Sequence, residues 1–460
     1  MRGRTNITQR SGTVPVNGDV EEFIVEDGKN INVGDFVSVI YGNASYYDGL
    51  DDSYNISYGS DMFEISNNKL VAFYGQNICV FNTSIDGGIE VDKILSGTFH
   101  SVGGVSDYSK VYKVDNSHFA IAYYSSLSAN VSSTLNIDII TLDIENNTVT
   151  FETKQYSLNF SSSLIPKHLM GIICNGIIFI PYIGKEGTSY YRNLTITWFD
   201  INLGDCGACA ITDYYYAIDD YHGAIVQGED NEIYAFTTGY KNQKFDDYIA
   251  CSKFTFLPEE RSLVLNGMYS QNTGAIHTYC TNGIVTYIGN DRFAIITDSR
   301  TIEIVEIKET VTLLNSIQLP FNELTKTYAS LFRYKDKYIL FGENSSHLFI
   351  YSYVFNLEEL LNVTSITFNT FNFITVYANV SNNIKDANII PFENYFVLFG
   401  GKEEKVWYGG IMCLCKIIGN NLSGVDSSNF VTNYNGNSIG FAKTSGASGE
   451  TIQVYVPKSN

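Results

Sequence analysis

This chain of 460 residues is short of positive charge, proline and tryptophan, and it has no long apolar run. Its 29 Lys+Arg stand against 49 Asp+Glu, a formal charge of -20. Phosphate neutralisation needs clustered Lys and Arg, and an anionic membrane surface attracts the same residues. The balance therefore speaks against nucleic acid and against membrane as partners. No apolar stretch approaches the roughly 18–20 residues needed to span a bilayer. The opening MRGRTNITQRSGTVPVNG is basic but lacks the apolar core of a signal peptide. Eight cysteines without an export signal point away from a disulfide scaffold. Sustained apolar spacing of three and four residues is also missing, so no amphipathic helix is expected. The nearest approach is FNLEELLNV at 355–363, one helical turn or a loop.

What the chain does have is aromatic residues and glycine: 34 Tyr, 29 Phe and 38 Gly. Aromatic and β-branched residues suit pleated, half-buried surfaces, and Gly and Asn supply turns between short strands. The expected class is all-β. A tight polar turn followed by an apolar run recurs at SNNKLVAFYG, VDNSHFAIAYY, ICNGIIFIPY, GEDNEIYAFTT, GNDRFAIIT, YKDKYILFG and PFENYFVLFG. Leu70, Phe119, Ile177, Ile233, Phe293, Tyr338 and Tyr395 are taken as equivalent, with a mean interval of (395−70)/6, about 54 residues. That length suits one four-stranded sheet per repeat, and such sheets bury their faces only by stacking around an axis. The spacing predicts a β-propeller of about seven blades over residues 43–427. The continuous apolar runs are expected as inner strands and the alternating runs as outer ones. A long solenoid and two β-sandwiches are the alternatives. Phe399–Gly401 carries a single glycine pair of kelch type, too little to assign that family, and the Asp-box of sialidase-type propellers is missing.

The two ends share a pattern. Gly34-Asp35-Phe36-Val37-Ser38-Val39 matches Gly449-Glu450-Thr451-Ile452-Gln453-Val454: glycine, acid, then apolar residues at alternate positions. Each reads as a tight turn leading into a half-buried strand. Residues 1–42 (an arm and half a domain) and 428–460 (the other half) are expected to form one small β-barrel or sandwich. The propeller is then an insertion into it.

Catalytic signatures are sparse. H-E-x-x-H and phosphate-loop motifs are absent, and the six His are scattered. Cys206 and Cys209 form a lone C-G-A-C without a second pair to complete a zinc site. Acidic pairs such as Asp51–Asp52, Asp246–Asp247 and Glu259–Glu260 are expected by chance among 49 acids. No metal, no cofactor and no enzymatic activity are expected. Two Tyr/Asp-rich stretches, SYYDGLDDSYNISYG and DYYYAIDDYHG, have the composition of binding loops. Tyr46, Tyr47, Tyr54, Tyr214, Tyr215 and Tyr221 are the candidate ligand-facing residues. The plainer account, Tyr packing between blades with its hydroxyl in water, weighs more.

The ends also resemble a known family. GRTNITQRSGTVPVNGDVEEFIVEDGKNINVGDFVSV and NSIGFAKTSGASGETIQVYVP look like phage virion proteins. The second is similar to the small barrel of capsid decoration proteins, with Phe441 where an aliphatic residue is usual. The likeness covers about 70 of the 460 residues. It implies a non-enzymatic virion protein on the outer capsid surface, bound to the major capsid protein or other virion proteins, as a homo-oligomer with a trimer favoured. Docking would involve Arg2, Arg4 and Arg10 of the basic arm together with Gly34, Asp35, Gly449 and Glu450. A tail receptor-binding protein engaging a host surface glycan is the second reading, and a propeller hydrolase the third.

Overall fold

The computed structural model describes residues 18–25, 28–40, 46–48, 61–66, 69–84, 88–101, 109–124, 134–157, 171–185, 192–202, 204–210, 223–241, 244–271, 285–297, 301–319, 329–343, 350–366, 383–392, 395–403, 410–418, 421–424, 430–433 and 439–457. The chain divides into two compact units, Met1–Ala44 with Lys416–Asn460, and Ser45–Cys415.

The larger unit is a β-propeller with seven sheets among the described residues, as the repeat predicts. Blade 1 runs Asp61–Ser66, Lys69–Tyr74, Asn77–Ser84, Gly88–Ser96, and blade 2 runs Lys110–Lys113, His118–Tyr124, Thr134–Asp143, Thr148–Ser157. Blade 3 runs Ile172–Cys174, Ile177–Lys185, Arg192–Asp200, Cys206–Ala210, and blade 4 runs Gly223–Gln227, Glu232–Lys241, Lys244–Leu257, Ser262–Gln271. Blade 5 runs Val285–Gly289, Arg292–Ile296, Thr301–Ile307, Val311–Gln318. Blade 6 shows Ala329–Tyr334, Lys337–Glu343 and Ile350–Asn356, followed by the helix Leu357–Asn362. That helix is the FNLEELLNV segment. Asn356 caps it, accepting from the Glu359 backbone N–H at 2.8 Å while the Glu359 carboxylate accepts from the Asn356 N–H at 2.9 Å. Blade 7 holds Asn383–Phe392, Tyr395–Glu403 and Gly410–Ile418, and Tyr46–Asp48 pairs with the last of these. A strand from the front of the unit is thus hydrogen-bonded into its final blade. The first strand of blade 7 also packs beside that of blade 1.

Strand order within a blade differs in part from expectation. The short first strands neighbour one another around the unit and are the inner ones. The continuous apolar runs form the second strands, and Leu70, Phe119, Ile233, Phe293 and Tyr338 each sit second in theirs. They are buried on both faces: Phe119, Ala120, Ile121 and Ala122 are all fully buried. The alternating runs are third strands and are covered too, because a third strand has sheet on both edges and a neighbouring blade on each face. The solvent-facing strand is the fourth, exemplified by Thr148–Ser157 and Val311–Gln318.

The smaller unit is a closed five-stranded barrel in the order Gly18–Val25, Phe430–Asn433, Phe36–Ile40, Ile439–Ala442, Thr451–Pro457. Both chain ends supply strands, as expected. Phe23, Val25, Ile31, Val37, Val431, Ala442, Ile452 and Val454 fill it. The matched end segments turn out to be structural equivalents. Gly34 and Gly449 both lie at positive φ, +86° and +80°. The Asp35 carboxylate accepts from the Asn32 N–H, and the Glu450 carboxylate accepts from the Ala447 N–H, each at 2.8 Å. Gly34 donates to the Ala442 carbonyl and Gly449 to that of Val25. The reciprocal bonds run from Ala442 N–H to Asp35 and from Val25 N–H to Glu450. The short strands Asn30–Ile31 and Gly446–Ala447 pair with each other between these turns. The barrel is therefore two interlocked copies of one strand–turn–strand unit, one from each end of the chain.

Candidate functional site

Tight turns join the first and second strands of blades 3, 4 and 5 at one end of each sheet. Asn175 and Gly176 both take positive φ, 51° and 78°, the two-residue turn that an Asn-Gly pair favours. A Cβ on Gly176 would lie 2.7 Å from Asn202 Nδ2, so the position also needs its missing side chain. In blade 4 the equivalent turn holds Asp230 at φ 50°, and the turn between its third and fourth strands holds Arg261 at φ 50°. A left-handed backbone costs a residue such as Arg roughly 1–2 kcal/mol. Here the side chain is fixed by two ion pairs to blade 3. Arg261 Nη2 is 3.1 Å from Asp200 Oδ2, and Nη1 is 2.7 Å from Asp205 Oδ2. Asp200 also accepts from the Asn202 N–H at 2.9 Å.

The turns of blades 3 and 4 line a cavity of about 220 Å³. Ile177, Phe179, Ile233 and Phe256 form its apolar lining, with Phe179 and Phe256 edge-to-face at 5.6 Å. Asn175, Asn231, Asp200 and Arg261 supply the polar groups, and the two Asn amides approach to 3.5 Å. The lining also includes Cys174, whose thiol pKa is pushed up by burial, against a side-chain hydrogen bond with Gln227. A raised thiol pKa leaves little thiolate at neutral pH. The arrangement presents an aromatic, apolar wall beside a planar guanidinium, two amides and a carboxylate. Such a set holds a ligand by one apolar face and several hydrogen bonds.

The sequence candidates fall elsewhere. Arg2, Arg4, Arg10, Tyr54, Tyr214, Tyr215 and Tyr221 lie outside the described residues. Tyr46 and Tyr47 are in the strand that joins blade 7, opposite Cys413 and Met412. Gly34, Asp35, Gly449 and Glu450 sit together in the two equivalent barrel turns. Cys206 and Cys209 lie three apart on the fourth strand of blade 3, which directs them to opposite faces of the sheet. Burial raises both thiol pKa values, and the charge of Asp205 adds to this at Cys206. Among the described residues no group of three or more His, Cys, Asp or Glu is placed to hold a metal ion. The pocket residues Asn175, Asp200, Asn231 and Arg261 were not picked out by sequence. The Asn-Gly turn at 175–176 was the visible signal.

The chain comprises a propeller, with seven sheets among the described residues, and a barrel built from both chain ends, and comparison with known proteins adds likeness of fold. No protein-family model and no curated protein matches the chain. Among solved structures, a periplasmic gluconolactonase of Pseudomonas aeruginosa is similar at 7% identity and a TM-score of 0.46, covering 93% of this chain and 100% of that one. An acylaminoacyl peptidase of Pyrococcus horikoshii is 8% identical with a TM-score of 0.39, over 85% of this chain and 54% of that one. A quinoprotein alcohol dehydrogenase-like protein of Bacteroides thetaiotaomicron is 9% identical with a TM-score of 0.34, over 72% and 74%. These findings correct the function expected above. The similar structures are named as enzymes or as enzyme-like, and none of the three is a capsid or tail protein. The assignments as capsid decoration protein and as tail receptor-binder are withdrawn. The physical reason for the error is that about 70 residues at the two ends were made to speak for a chain whose bulk is propeller. At these identities no neighbour's activity is carried over to this chain.

Proposed function

We propose that this protein is a ligand-binding propeller that holds a small neutral molecule in the pocket between blades 3 and 4 without transforming it. The observation that carries this is the pairing of an aromatic wall with Arg261, a blade 4 residue that two acids of blade 3 hold in place. The volume of about 220 Å³ falls below the roughly 300–1,000 Å³ of drug-sized sites, which limits the occupant to about one small ring. The charge of Arg261 is already matched by Asp200 and Asp205, so nothing in the site favours an anion. A neutral polyhydroxylated ring, a monosaccharide or cyclic polyol, offers both the apolar face and the hydrogen-bonding edge.

Two features speak for binding over chemistry. The pocket's acid, Asp200, is held by Arg261 and by the backbone, and its thiol, Cys174, stays protonated. Saturation-transfer NMR with a panel of neutral monosaccharides and cyclitols tests the proposal. Transfer is expected with the wild type at millimolar ligand and should be lost in Asn231→Ala and Arg261→Ala variants that keep the wild-type circular dichroism. Transfer from no member of the panel, or undiminished transfer in both variants, would falsify it. Turnover of a bound sugar ester or lactone would refute the non-catalytic part alone.

A further inference from the structure

Blades 2 and 5 carry the same second-strand triplet, Phe119-Ala120-Ile121 and Phe293-Ala294-Ile295, and in each an acid stands opposite its isoleucine on the third strand. In blade 2 this is Asp138, which faces Ile121 on one side and Thr153 on the other. In blade 5 it is Glu303, between Ile295 and Ser316. Both acids are buried, at 1% and 6% relative exposure. Their partners differ. Asp138 has donors on both oxygens: the Thr153 hydroxyl at 2.6 Å and the Tyr123 hydroxyl at 3.3 Å on Oδ1, and the His100 backbone N–H at 2.7 Å on Oδ2. Glu303 has donors on Oε1 alone, from the Thr301 hydroxyl at 2.8 Å and the Ser316 hydroxyl at 3.0 Å. Its Oε2 is buried and has no hydrogen-bond partner among the described residues.

The hydroxyl protons here can be assigned by counting. Thr301 uses its single proton on Glu303, so the 2.8 Å contact between Thr297 and Thr301 must have Thr297 as donor. That leaves lone pairs on the fully buried Thr297 and on Ser316, in the same hydrogen-bonded cluster as Glu303, whose Oε2 has no ion-pair or hydrogen-bond partner among the described residues. Buried charges are paired or coordinate metals, since desolvating an unpaired carboxylate costs several kcal/mol. We propose that Glu303 Oε2, the unpartnered oxygen of a carboxylate whose Oε1 is held by the Thr301 and Ser316 hydroxyls, binds a monovalent metal cation, Na⁺ or K⁺. An all-oxygen donor set selects a hard ion. A single carboxylate balances one positive charge, whereas Ca²⁺ would leave an excess in a buried place.

The test uses the full chain at one ionic strength, in NaCl, KCl and N-methylglucamine chloride, with thermal unfolding and ²³Na NMR linewidth as readouts. An ion bound only to the folded state at about a hundred times its Kd should raise the Tm by a few degrees over the organic cation. Sodium resonances should broaden with protein and narrow when K⁺ is added. Glu303→Gln keeps an acceptor for both hydroxyls and removes the charge, so it should abolish the ion-specific Tm difference and the broadening. Equal Tm values in all three salts together with unbroadened sodium would overturn the proposal even if the variant does not fold. So would an ion effect that survives in Glu303→Gln, which would place the ion elsewhere. A variant more stable than wild type in every salt would show that the carboxyl is carried neutral, and would overturn it as well.

Discussion

Removing the ammonium of Lys253 is the most informative perturbation of the propeller, because one charge there serves two blades. Lys253 Nζ lies 2.7 Å from Glu232 Oε1 of its own blade, 3.3 Å from Asp291 Oδ1 in the first turn of blade 5, and 5.1 Å from the centre of the Tyr234 ring. The buried Tyr234 presents its hydroxyl to the same two acids, at 2.6 Å from Asp291 and 3.0 Å from Glu232. One hydroxyl proton satisfies one acid at a time. Lys253→Met keeps the packing of the alkyl stem but leaves two carboxylates facing each other across a single donor. Breaking a fully buried pair costs about 3–5 kcal/mol. The side chains here are 16%, 28% and 32% exposed for Lys253, Glu232 and Asp291, so solvent screens part of that loss. We expect about 2 kcal/mol. Global unfolding of a chain this size need not be two-state, so hydrogen exchange by mass spectrometry is the better assay. About 2 kcal/mol of local destabilisation corresponds to roughly thirtyfold faster exchange. It should appear in peptides spanning 229–236 and 285–307, where Ile307 N–H donates to the Asp291 carbonyl, and not in blade 2. Exchange within twofold of wild type in those peptides, or equal acceleration everywhere, refutes the reasoning.

The same cluster fixes a pH dependence. The Tyr234 pKa is raised by burial, then by its hydrogen bonds to Asp291 and Glu232 and by their charges. Burial opposes the Lys253 ammonium, but Glu232 and Asp291 outweigh it and raise that pKa too. Both groups hold their protons more tightly folded than unfolded. Their contribution is therefore complete below the unfolded values of about 10 and is lost as pH rises beyond them. Between pH 7 and 9 this cluster should add no slope. Above pH 10 wild-type stability should fall more steeply than that of Tyr234→Phe, and parallel curves would contradict this.

Three further predictions concern the barrel. Gly34→Ala meets open space but a φ of +86°, so it should cost about 1–2 kcal/mol as backbone strain, and Gly34→Asn less. Gly446→Ala places its Cβ 2.4 Å from Ile452 Cγ2 and should cost about 1–3 kcal/mol as overpacking. Stability curves of the two alanine variants, with Asn rescue at position 34 only, would separate these causes. Deleting 437–460 removes the strand that pairs with Gly18–Val25 along seven residues. Exchange protection of residues 18–25 should then disappear, and unchanged protection would show that this strand does not depend on the chain's other end.

The propeller was legible because its second strands, with both faces and both edges covered, carry the most continuous apolar runs of each blade. That demand yields short apolar runs, and since every blade makes it once, their spacing reports the blade. The barrel was legible for a different reason. Its two halves use the same turn, with a glycine at positive φ and an acid capping the preceding residues, so one local requirement appears twice in the chain. Fourth strands left no such mark. Thr148–Ser157 and Val311–Gln318 are held by main-chain bonds along one edge, and their side chains face solvent enough to tolerate almost anything.

The pocket and the buried acid were illegible because both depend on what the next blade or strand supplies. Pro258-Glu259-Glu260-Arg261 reads as a solvated turn, and its two acids drew attention as a chance pair. The structure leaves both Glu exposed and sends the neighbouring Arg261 across to blade 3. Likewise Thr301–Ile307 alternates as though one face met water, which assigns Glu303 to solvent. In a third strand that inference fails, because fourth-strand and neighbouring-blade residues cover the second face. The corrected rule is positional. In a four-stranded blade, an acid directly opposite the third residue of the apolar run lies inside, and its charge needs a partner. Asp138 and Glu303 both satisfy that rule, and only Asp138 has donors on both of its oxygens.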